Sequence, residues 1–385
     1  MIHGNKFQAL IDFIKIQYPN KRFIGLHEPV FIGNERKYVI DAIDSTYVSS
    51  VGAYVNKFEE MVCEITGAAY SVAIVNGTSA LHMALLLADV QKGEEVISQS
   101  LTFIATCNAI SYIGASPLFL DVDRDSLGLS PYSLKNYLEK NAEIKSNGYT
   151  YNKKTGRKIK ACIPMHTFGL PCRIDEIADI CSEWNITLIE DAAESLGSYY
   201  KGKHTGVFGK IGIFSLNGNK TVTSGGGGAL VTNDETIARK AKHLTTQAKV
   251  PHKWEFNHDA IGYNYRMPNI NAALAFAQLE QLKIFIEDKR KLAELYHAIL
   301  NTLNIDSCKE IPGAEANYWL NTILLNNKNE RDDFLTYMNN NGVMSRPVWT
   351  LMHHLPMFKK EQRGSLDNSE WLADRLVNIP SSVRL

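Results

Sequence analysis

The sequence predicts an α/β fold, with a large domain built on a mostly parallel mixed sheet flanked by helices and a smaller C-terminal α+β domain. Three observations support this prediction. Short runs of β-branched residues alternate with helical segments up to about residue 250. The sequence then has an irregular segment rich in aromatic residues, and a long helical run follows it. We expect the large domain, with its N-terminal helical segment, at residues 1–250 and the small domain at residues 251–385. A chain of 385 residues is long enough for both.

The elements of the large domain are predicted from alternating strand and helix patterns. Helical periodicity dominates residues 32–90, with a helix at 55–65 and a strand at 71–75. Helices are also predicted after residue 103 and at 174–184. Further short apolar runs predict strands at 95–100, 117–122, 161–166, 187–192, 211–216 and 228–232. Strands separated by helices indicate a largely parallel sheet.

Two other segments complete the prediction. Residues 147–160 predict a two-stranded hairpin that turns at 154–156, and we interpret its basic residues as a solvated turn. After residue 250, a helical run begins near Asn269, and its apolar stripe continues to Ile286. The remaining tail mixes short strands and helices, which is typical of a small second domain.

Composition limits the class of protein. Lysine plus arginine and aspartate plus glutamate both total 41, so the chain lacks the basic surplus that a general nucleic-acid binder needs. The six cysteines form no CxxC pair and no zinc-finger spacing, so we expect reduced thiols and no metal site. No apolar run predicts a signal peptide or a membrane helix, and we therefore expect a cytoplasmic protein without membrane contact.

The turn Asn76-Gly77-Thr78-Ser79 follows a predicted strand and begins a helix. Backbone N–H groups at a helix N-terminus, together with two hydroxyls, form an anion site, and glycine permits close approach. An ordinary helix cap formed by Thr78 or Ser79 explains the same residues equally well.

Two further side chains lie at predicted strand ends. Asp191 ends a buried strand, where a carboxylate needs a partner such as a protonated pyridine nitrogen, although a cap or an arginine pair would also satisfy it. Phe103 follows another strand and could stack on a flat ring or be a core residue. Both side chains fall at the sheet edge where open α/β sheets bind ligands.

The segment from Ser215 to Lys220 is a turn rich in asparagine and glycine, flanked by strands. A desolvated lysine in such a turn is an effective nucleophile towards carbonyl groups, and Ser215 could donate to a phosphate. The glycines at 225–228 lack the spacing of a dinucleotide-binding loop and precede a strand, so that signal is weak.

Along the chain, the turn at 76–79 is followed by Phe103, Asp191, Ser215 and Lys220. This order of features resembles that of the DegT/DnrJ/EryC1/StrS family of nucleotide-sugar aminotransferases, which have the aspartate-aminotransferase (type I) fold. The resemblance extends from about Glu28 to the C-terminus. It is strongest in the segments 76–85, 102–123, 164–175, 189–209, 214–220 and 262–280.

The resemblance implies pyridoxal phosphate as cofactor and a role for each matching residue. Lys220 would hold the cofactor as a Schiff base and move protons, Asp191 would pair with the pyridine nitrogen, and Phe103 would stack on the ring. The implied phosphate ligands are Gly77, Thr78, Ser79 and Ser215, joined by Asn264 of the partner subunit. The resemblance therefore implies a homodimer with shared active sites.

Two positions depart from the family pattern. Three residues after the aspartate, where glutamine or histidine is frequent, this chain has Glu194, whose carboxylate would repel the cofactor's phenolic oxygen unless a proton is shared. The glycine run at 225–228 is GGGG, whereas the family often has GEGG. Lys220 itself argues against the dehydratase branch, which has histidine at that position.

Within the family, the segments 25–35, 45–52 and 345–358 resemble the subgroup that makes 4-amino sugars of the bacillosamine or legionaminic acid type for bacterial surface glycans. This resemblance implies amino transfer from L-glutamate to C4 of a UDP-linked 2-acetamido-4-keto-2,6-dideoxyhexose. The alternatives are transfer at C3 or to a dTDP- or GDP-linked keto sugar.

Substrate contacts are harder to derive from the sequence. Trp349 could pack against a sugar or a base, but a core tryptophan is equally consistent with the pattern. His166 ends a strand near the proposed cofactor, yet a structural histidine is as good an interpretation. The full set of candidates is His27, Ser49, His166, Arg346 and Trp349.

Three competing functions remain at this stage. The first is a pyridoxal-dependent sugar dehydratase, which would not transfer the amine of glutamate. The second is a class I aldolase-like enzyme that uses Lys220 without a cofactor. The third is a non-enzymatic sensor or interaction protein built on the same fold.

Overall fold

The computed structural model describes residues 2–385, with side chains from residue 6 onward. Up to residue 232 its strands are β1 (Tyr70–Ile74), β2 (Glu95–Gln99), β3 (Ser116–Leu120), β4 (Ala142–Ile144), β5 (Thr150–Asn152), β6 (Ile159–Ile163), β7 (Thr187–Asp191), β8 (Tyr199–Tyr200), β9 (Lys203–His204), β10 (Ile211–Ser215) and β11 (Gly228–Thr232). Seven of these strands form one sheet in the order β1-β11-β10-β7-β6-β2-β3. Within it, β11 is antiparallel to both neighbours, whereas the other adjacent pairs are parallel. The mostly parallel mixed sheet is as predicted.

The helices cover both faces of this sheet and continue into the C-terminal region. They are α1 (Ile2–Gln17), α2 (Glu35–Asp44), α3 (Ala53–Thr66), α4 (Gly77–Leu87), α5 (Ile104–Tyr112), α6 (Pro131–Asn141), α7 (Ile174–Glu183), α8 (Glu235–Thr245), α9 (Asn269–Leu279), α10 (Leu282–Thr302), α11 (Lys328–Asn340) and α12 (Asp367–Ala373). Two single 3₁₀ turns occur at Thr167–Gly169 and Met352–His354.

The large sheet is buried on both faces because its strands alternate between two apolar clusters. In β11, Ala229 and Val231 pack into the cluster that contains α3 and α9, whereas Leu230 packs into the opposite cluster with α4. Successive side chains of a strand point to opposite faces, and a parallel sheet covered by helices therefore needs apolar residues at every position. This explains why the strands are continuous apolar runs in the sequence.

The C-terminal region contains its own antiparallel sheet in the order β12-β14-β16-β15. The strands of this region are β12 (Asp306–Ser307), β13 (Ala314–Glu315), β14 (Asn321–Leu324), β15 (Arg346–Pro347) and β16 (Leu376–Ile379). Strand β13 is not part of this sheet and pairs with β8 instead. Helix α1 packs against α10 and α11 through an apolar cluster shared with this sheet, so the first helix lies with the C-terminal elements. Helix α9 packs instead against α2 and α3. The division of the chain at residue 250 stays a prediction.

The predicted hairpin turn at 154–156 is present, because Tyr151 pairs antiparallel with Lys158 across it. Strand β5 also pairs with β4 through a second turn between Ile144 and Thr150, which was not predicted. One other local prediction differs from the structure. The helical run after Asn269 is broken between α9 and α10. None of the described helices combines the length and the apolar composition that a membrane span requires.

Candidate active site

A cavity of about 310 Å³ lies at the carboxyl edge of the large sheet. The strands β1, β7 and β10 end there, as expected for a ligand site in an open α/β sheet. Its walls combine charged, polar and aromatic side chains from distant parts of the chain. They are Asn76, Gly77, Thr78, Leu81, Phe103, Ala105, Met165, Asp191, Ala193, Glu194, Ser215, Asn217, Asn219, Lys220, Trp319 and Trp349.

One wall is the N-terminus of α4. The cap is Asn76, whose Oδ1 accepts from the backbone N–H of Ser79 at 2.7 Å, so the cap is neither Thr78 nor Ser79. The N–H groups of Gly77 and Thr78 precede the first intrahelical bonds and point towards a potential anion. A Cβ at Gly77 would lie 2.9 Å from the Cβ of Ser215, and glycine therefore lets the helix end approach the Ser215 hydroxyl.

The second feature is the buried carboxylate of Asp191, at the end of β7. Its Oδ2 accepts from the hydroxyl of Thr106 at 2.7 Å, and its Oδ1 accepts from the backbone N–H of Ala193 at 3.2 Å. Burial raises the pKa of Asp191 above its ordinary value, although these donors and Lys220 act in the opposite direction. A cationic partner in the cavity would therefore stabilise the ionised form.

The third feature is an ion pair between Lys220 and Glu194. Lys220 Nζ lies 3.0 Å from Glu194 Oε1, and it also lies 3.7 Å from the centroid of the Trp319 ring. The second carboxylate oxygen of Glu194 accepts from the backbone N–H of Phe168 at 2.9 Å. Burial raises the pKa of Glu194, which Lys220 partly offsets. The ammonium is thus held between a carboxylate and an aromatic face inside the cavity.

The aromatic side chains of Phe103 and Trp349 form another wall of the cavity. The ring of Phe103 is 46% exposed although it immediately precedes the buried helix α5, because it faces the cavity. Its centroid lies 5.9 Å from that of Trp349, which in turn packs on Phe168 at 5.0 Å. An exposed phenylalanine in a cavity offers a flat apolar surface for a planar ring.

Among the candidate substrate contacts, Trp349 lines the cavity. His27 does not line it, but both of its ring nitrogens are buried. Burial lowers the pKa of His27, and the nearby charges of Lys289 and Lys220 lower it further. His27 is therefore a neutral ring close to Lys220.

His166 is a structural residue, which corrects its assignment as a substrate contact. It is fully buried, its Nε2 lies 3.1 Å from Glu190, and its Nδ1 accepts from the backbone N–H of Cys172 at 3.3 Å. The carboxylate of Glu190 also accepts three backbone N–H groups, of Gly206, Phe208 and Gly209. This satisfied network turns the imidazole away from the cavity, which its neighbour Met165 lines instead.

Four other candidates lie outside the cavity walls of this chain. Arg346 is exposed on the edge strand β15, and Ser49 is exposed while its carbonyl accepts from the N–H of Asn269. Asn264 is exposed, and Ser79 is fixed by the Asn76 cap. The expected contacts of Arg346 and Ser49 with substrate thus have no counterpart within one chain.

Several site residues were not predicted from the sequence. Trp319 comes from the C-terminal region and donates from Nε1 to the carbonyl of Asn219 at 2.6 Å, beside Lys220. Thr106 lies one helical turn after Phe103 and fixes Asp191. The position of Thr106 in the first turn of α5 is a local signal for its role, whereas no local pattern places Trp319 here.

The donor set fits pyridoxal phosphate. The free N–H groups of Gly77 and Thr78 and the hydroxyl of Ser215 are suited to a phosphate dianion. The buried Asp191 is suited to a pyridinium nitrogen, the exposed Phe103 ring to a flat heterocycle, and the Lys220 amine to an aldehyde. The fold and the site together define a type I pyridoxal phosphate-dependent aminotransferase.

Comparison with known proteins narrows this class. The model of the DegT/DnrJ/EryC1/StrS aminotransferase family matches residues 31–385, and the chain belongs to this family. It is 38% identical over 361 residues to GDP-perosamine synthase of Escherichia coli O157:H7, covering 94% of this chain and 93% of the relative. It is 38% identical over 369 residues to the putative pyridoxal phosphate-dependent aminotransferase EpsN of Bacillus subtilis, covering 94% and 92% of the two chains. The chain is a nucleotide-sugar aminotransferase that uses pyridoxal phosphate.

Solved structures agree with this assignment. The DegT DnrJ EryC1 StrS aminotransferase from Brucella abortus superposes with a TM-score of 0.81 at 26% identity, over 90% of both chains. The aminotransferase TlmJ from Streptoalloteichus hindustanus superposes with a TM-score of 0.84 at 25% identity, over 93% of both chains. The predicted type I fold is thereby confirmed.

Proposed function

We propose that this enzyme transfers the amino group of L-glutamate to C4 of a GDP-linked 4-keto-6-deoxyhexose. The observation that carries the proposal is the similarity over nearly the whole of both chains to two proteins named GDP-perosamine synthase, from Escherichia coli and Vibrio cholerae, at 38% and 37% identity. These names favour a GDP-linked acceptor over the UDP-linked acetamido sugar that the sequence segments implied. The subgroup resemblance to bacillosamine and legionaminic acid enzymes is accordingly not retained.

The proposed roles of the residues follow from their positions. Pyridoxal phosphate, when bound, supplies an electron sink for the negative charge that develops on the donor's α carbon. Asp191 would keep a proton on the pyridine nitrogen, because its own burial is best compensated by a cation. Lys220 would attach the cofactor and, when its amine is free, take a proton from the donor's α carbon and deliver it to the cofactor carbon that is bonded to the donor's nitrogen. Glu194 would orient that amine through the 3.0 Å contact.

The phosphate would be held by the start of α4 and by the end of β10. Gly77 and Thr78 supply backbone N–H groups, and Ser215 supplies a hydroxyl. Ser79 is a candidate through its side chain, because its N–H already donates to Asn76. Phe103 would cover the ring and Trp349 would extend this surface towards the sugar.

We also propose a homodimer in which Asn264 of the partner subunit completes the phosphate site. Asn264 is exposed and lies outside the cavity of its own chain, so it is free to reach another copy. Large apolar side chains are exposed in the same segment and in the α2–α3 connection. They are Trp254, Phe256, Ile261, Tyr47, Val48 and Val51. Exposed apolar patches of this kind mark interaction surfaces.

The proposed acceptor is tested by offering the holoenzyme L-glutamate and three nucleotide sugars. These are a GDP-linked 4-keto-6-deoxyhexose, its dTDP-linked counterpart and a UDP-linked 2-acetamido-4-keto sugar, with products identified by mass spectrometry and the aminated carbon by NMR. We expect kcat/KM for the GDP compound to exceed the others by about tenfold or more, a difference of the size that pocket contacts provide. A preference for the UDP compound would overturn the proposal.

A further inference from the structure

Three side chains of the residue types that bind metal ions lie together outside the active site, on the C-terminal part of the fold. His353 and His354 belong to the 3₁₀ turn at Met352–His354, and Glu370 lies on α12. The Nε2 atoms of the two histidines lie 2.9 Å and 2.8 Å from the same carboxylate oxygen of Glu370. One ligand atom from each residue falls within 4.8 Å of the others. The three side chains therefore converge on one point.

The buried member of the group is fixed from behind. His353 Nδ1 lies 2.7 Å from the hydroxyl of Ser100, and both residues are buried. Metal-binding histidines usually make such a bond with their second ring nitrogen, because it sets the tautomer and the orientation of the ring. Ser100 thus gives His353 the support that a ligand needs, whereas His354 and Glu370 are each about half exposed at 49%.

We propose that His353, His354 and Glu370 bind a divalent transition metal ion of the zinc type. Two imidazoles and one carboxylate are a known three-ligand set for zinc, with the fourth position left to water. Ligand atoms around tetrahedral zinc are about 3.4 Å apart, given bond lengths of about 2.0–2.2 Å. The two histidine-to-carboxylate separations of 2.9 and 2.8 Å need an opening of about half an ångström. The exposed side chains of His354 and Glu370 can provide it.

The position of the group links it to the active-site wall. The backbone N–H of Met352 donates to the carbonyl of Ser100 at 3.0 Å. Phe103 lies three residues after Ser100, and Trp349 lies three residues before Met352. An ion would join α12 to the junction of these two segments and stabilise the native protein, because it binds only where the three ligands are assembled. The sequence predicted no metal site, because the spacing from 354 to 370 matches no zinc motif.

The test is a titration of the chelator-treated holoenzyme with Zn²⁺ in competition with a chromophoric chelator. We expect one ion per chain in the wild type and at least about tenfold weaker binding in His354→Ala and in Glu370→Ala. Ser100→Ala should weaken binding by about tenfold, the lower end of what a supporting hydrogen bond contributes. The exposed His252, far along the chain, provides the matched control, and His252→Ala should bind like the wild type.

Each outcome decides the proposal. Because His354 and Glu370 are half exposed, both variants should unfold at nearly the wild-type temperature without zinc. The same zinc concentration should raise that temperature more in the wild type and in His252→Ala than in His354→Ala or Glu370→Ala. No bound ion in the wild type, or equal affinity in His354→Ala, would refute the site. The second result would place the ion elsewhere, for example on the cofactor phosphate. The readout does not use amino transfer, so it is independent of the proposed function.

Discussion

Lys220 Nζ lies 3.0 Å from Glu194 Oε1, so that the amine expected to bind the cofactor is paired with a buried carboxylate. The backbone N–H of Phe168 fixes the other oxygen of Glu194. Phe168 has a positive φ of 57°, which is uncommon for a bulky residue, and this backbone turn brings its N–H to the carboxylate. These contacts give Glu194 the role of holding the Lys220 amine. Glu194 stands at the position where the family frequently has glutamine or histidine.

Lys220→Ala should abolish amino transfer while leaving a protein that still binds pyridoxal phosphate. The phosphate and ring contacts come from other residues, but no amine remains to bond the aldehyde or to move protons. Absorption spectra of dialysed protein and a product assay measure the two effects. Normal turnover in this variant would contradict the assignment.

Asp191→Asn should reduce kcat by at least about a hundredfold, the lower end of the contribution of a positioned acid–base group. The amide has nearly the same shape, so the protein should fold, but it cannot stabilise a proton on the pyridine nitrogen. A steady-state assay at saturating glutamate separates this effect from weaker binding. An unchanged kcat would mean that another group protonates the ring.

Glu194→Gln should lower kcat by about tenfold, because the amide keeps a hydrogen bond to Phe168 but loses the charge that orients Lys220. Glu194→Ala should be worse, since it also leaves the Phe168 N–H without its acceptor. Comparison of the two variants over a range of pH isolates the charge. Wild-type kcat in both would show that Glu194 has no role in orienting the amine.

The stability of the cofactor-free protein should depend on pH through Asp191. Burial raises the pKa of this carboxyl in the folded chain. Its contribution to stability is therefore fully present below the ordinary pKa of an aspartate and is lost as the pH rises through the raised pKa. Asp191→Asn should flatten the fall of the unfolding free energy over this window, whereas Asp333→Asn, at an exposed position, should not. If the unfolding free energy of Asp191→Asn falls with pH as steeply as that of the wild type, the predicted role of Asp191 is refuted.

A mixing experiment tests the shared active site. Asn264→Ala should bind the cofactor about tenfold more weakly, so it should be largely inactive at a limiting cofactor concentration, and Lys220→Ala should be inactive at any concentration. In a mixed dimer, one site combines Lys220 of the first chain with Asn264 of the partner subunit, and activity should return in that site. Failure to regain activity after subunit exchange, in a preparation shown to contain mixed dimers, would contradict sharing.

The sequence predicted the parts of the site that local patterns define. Asn76, Asp191 and Lys220 each lie at or beyond the end of an apolar strand, and the shared direction of β1, β7 and β10 brings these ends to one edge of the sheet. His166 also follows a strand, but it is one residue beyond Met165 and points to the opposite face, so a one-residue offset separates a wall residue from a core residue.

The remaining parts depend on contacts between distant segments. Trp319 reaches Lys220 from the C-terminal region, and His353 meets Glu370 across 17 residues without a motif. Side-chain packing brings these groups together, and no short-range periodicity encodes it. The break between α9 and α10 was missed for a related reason, because both helices are apolar enough to read as one continuous stripe.

The most direct test of the account is the visible absorption spectrum of the purified protein with pyridoxal phosphate, before and after addition of L-glutamate. The account predicts a band from lysine-bound cofactor that disappears with glutamate, with 2-oxoglutarate released in equal amount, and that returns when the GDP-linked keto sugar is added. A protein that shows no such band with excess cofactor, or a band that glutamate leaves unchanged, would contradict the assignment of Lys220 and of the glutamate-dependent reaction.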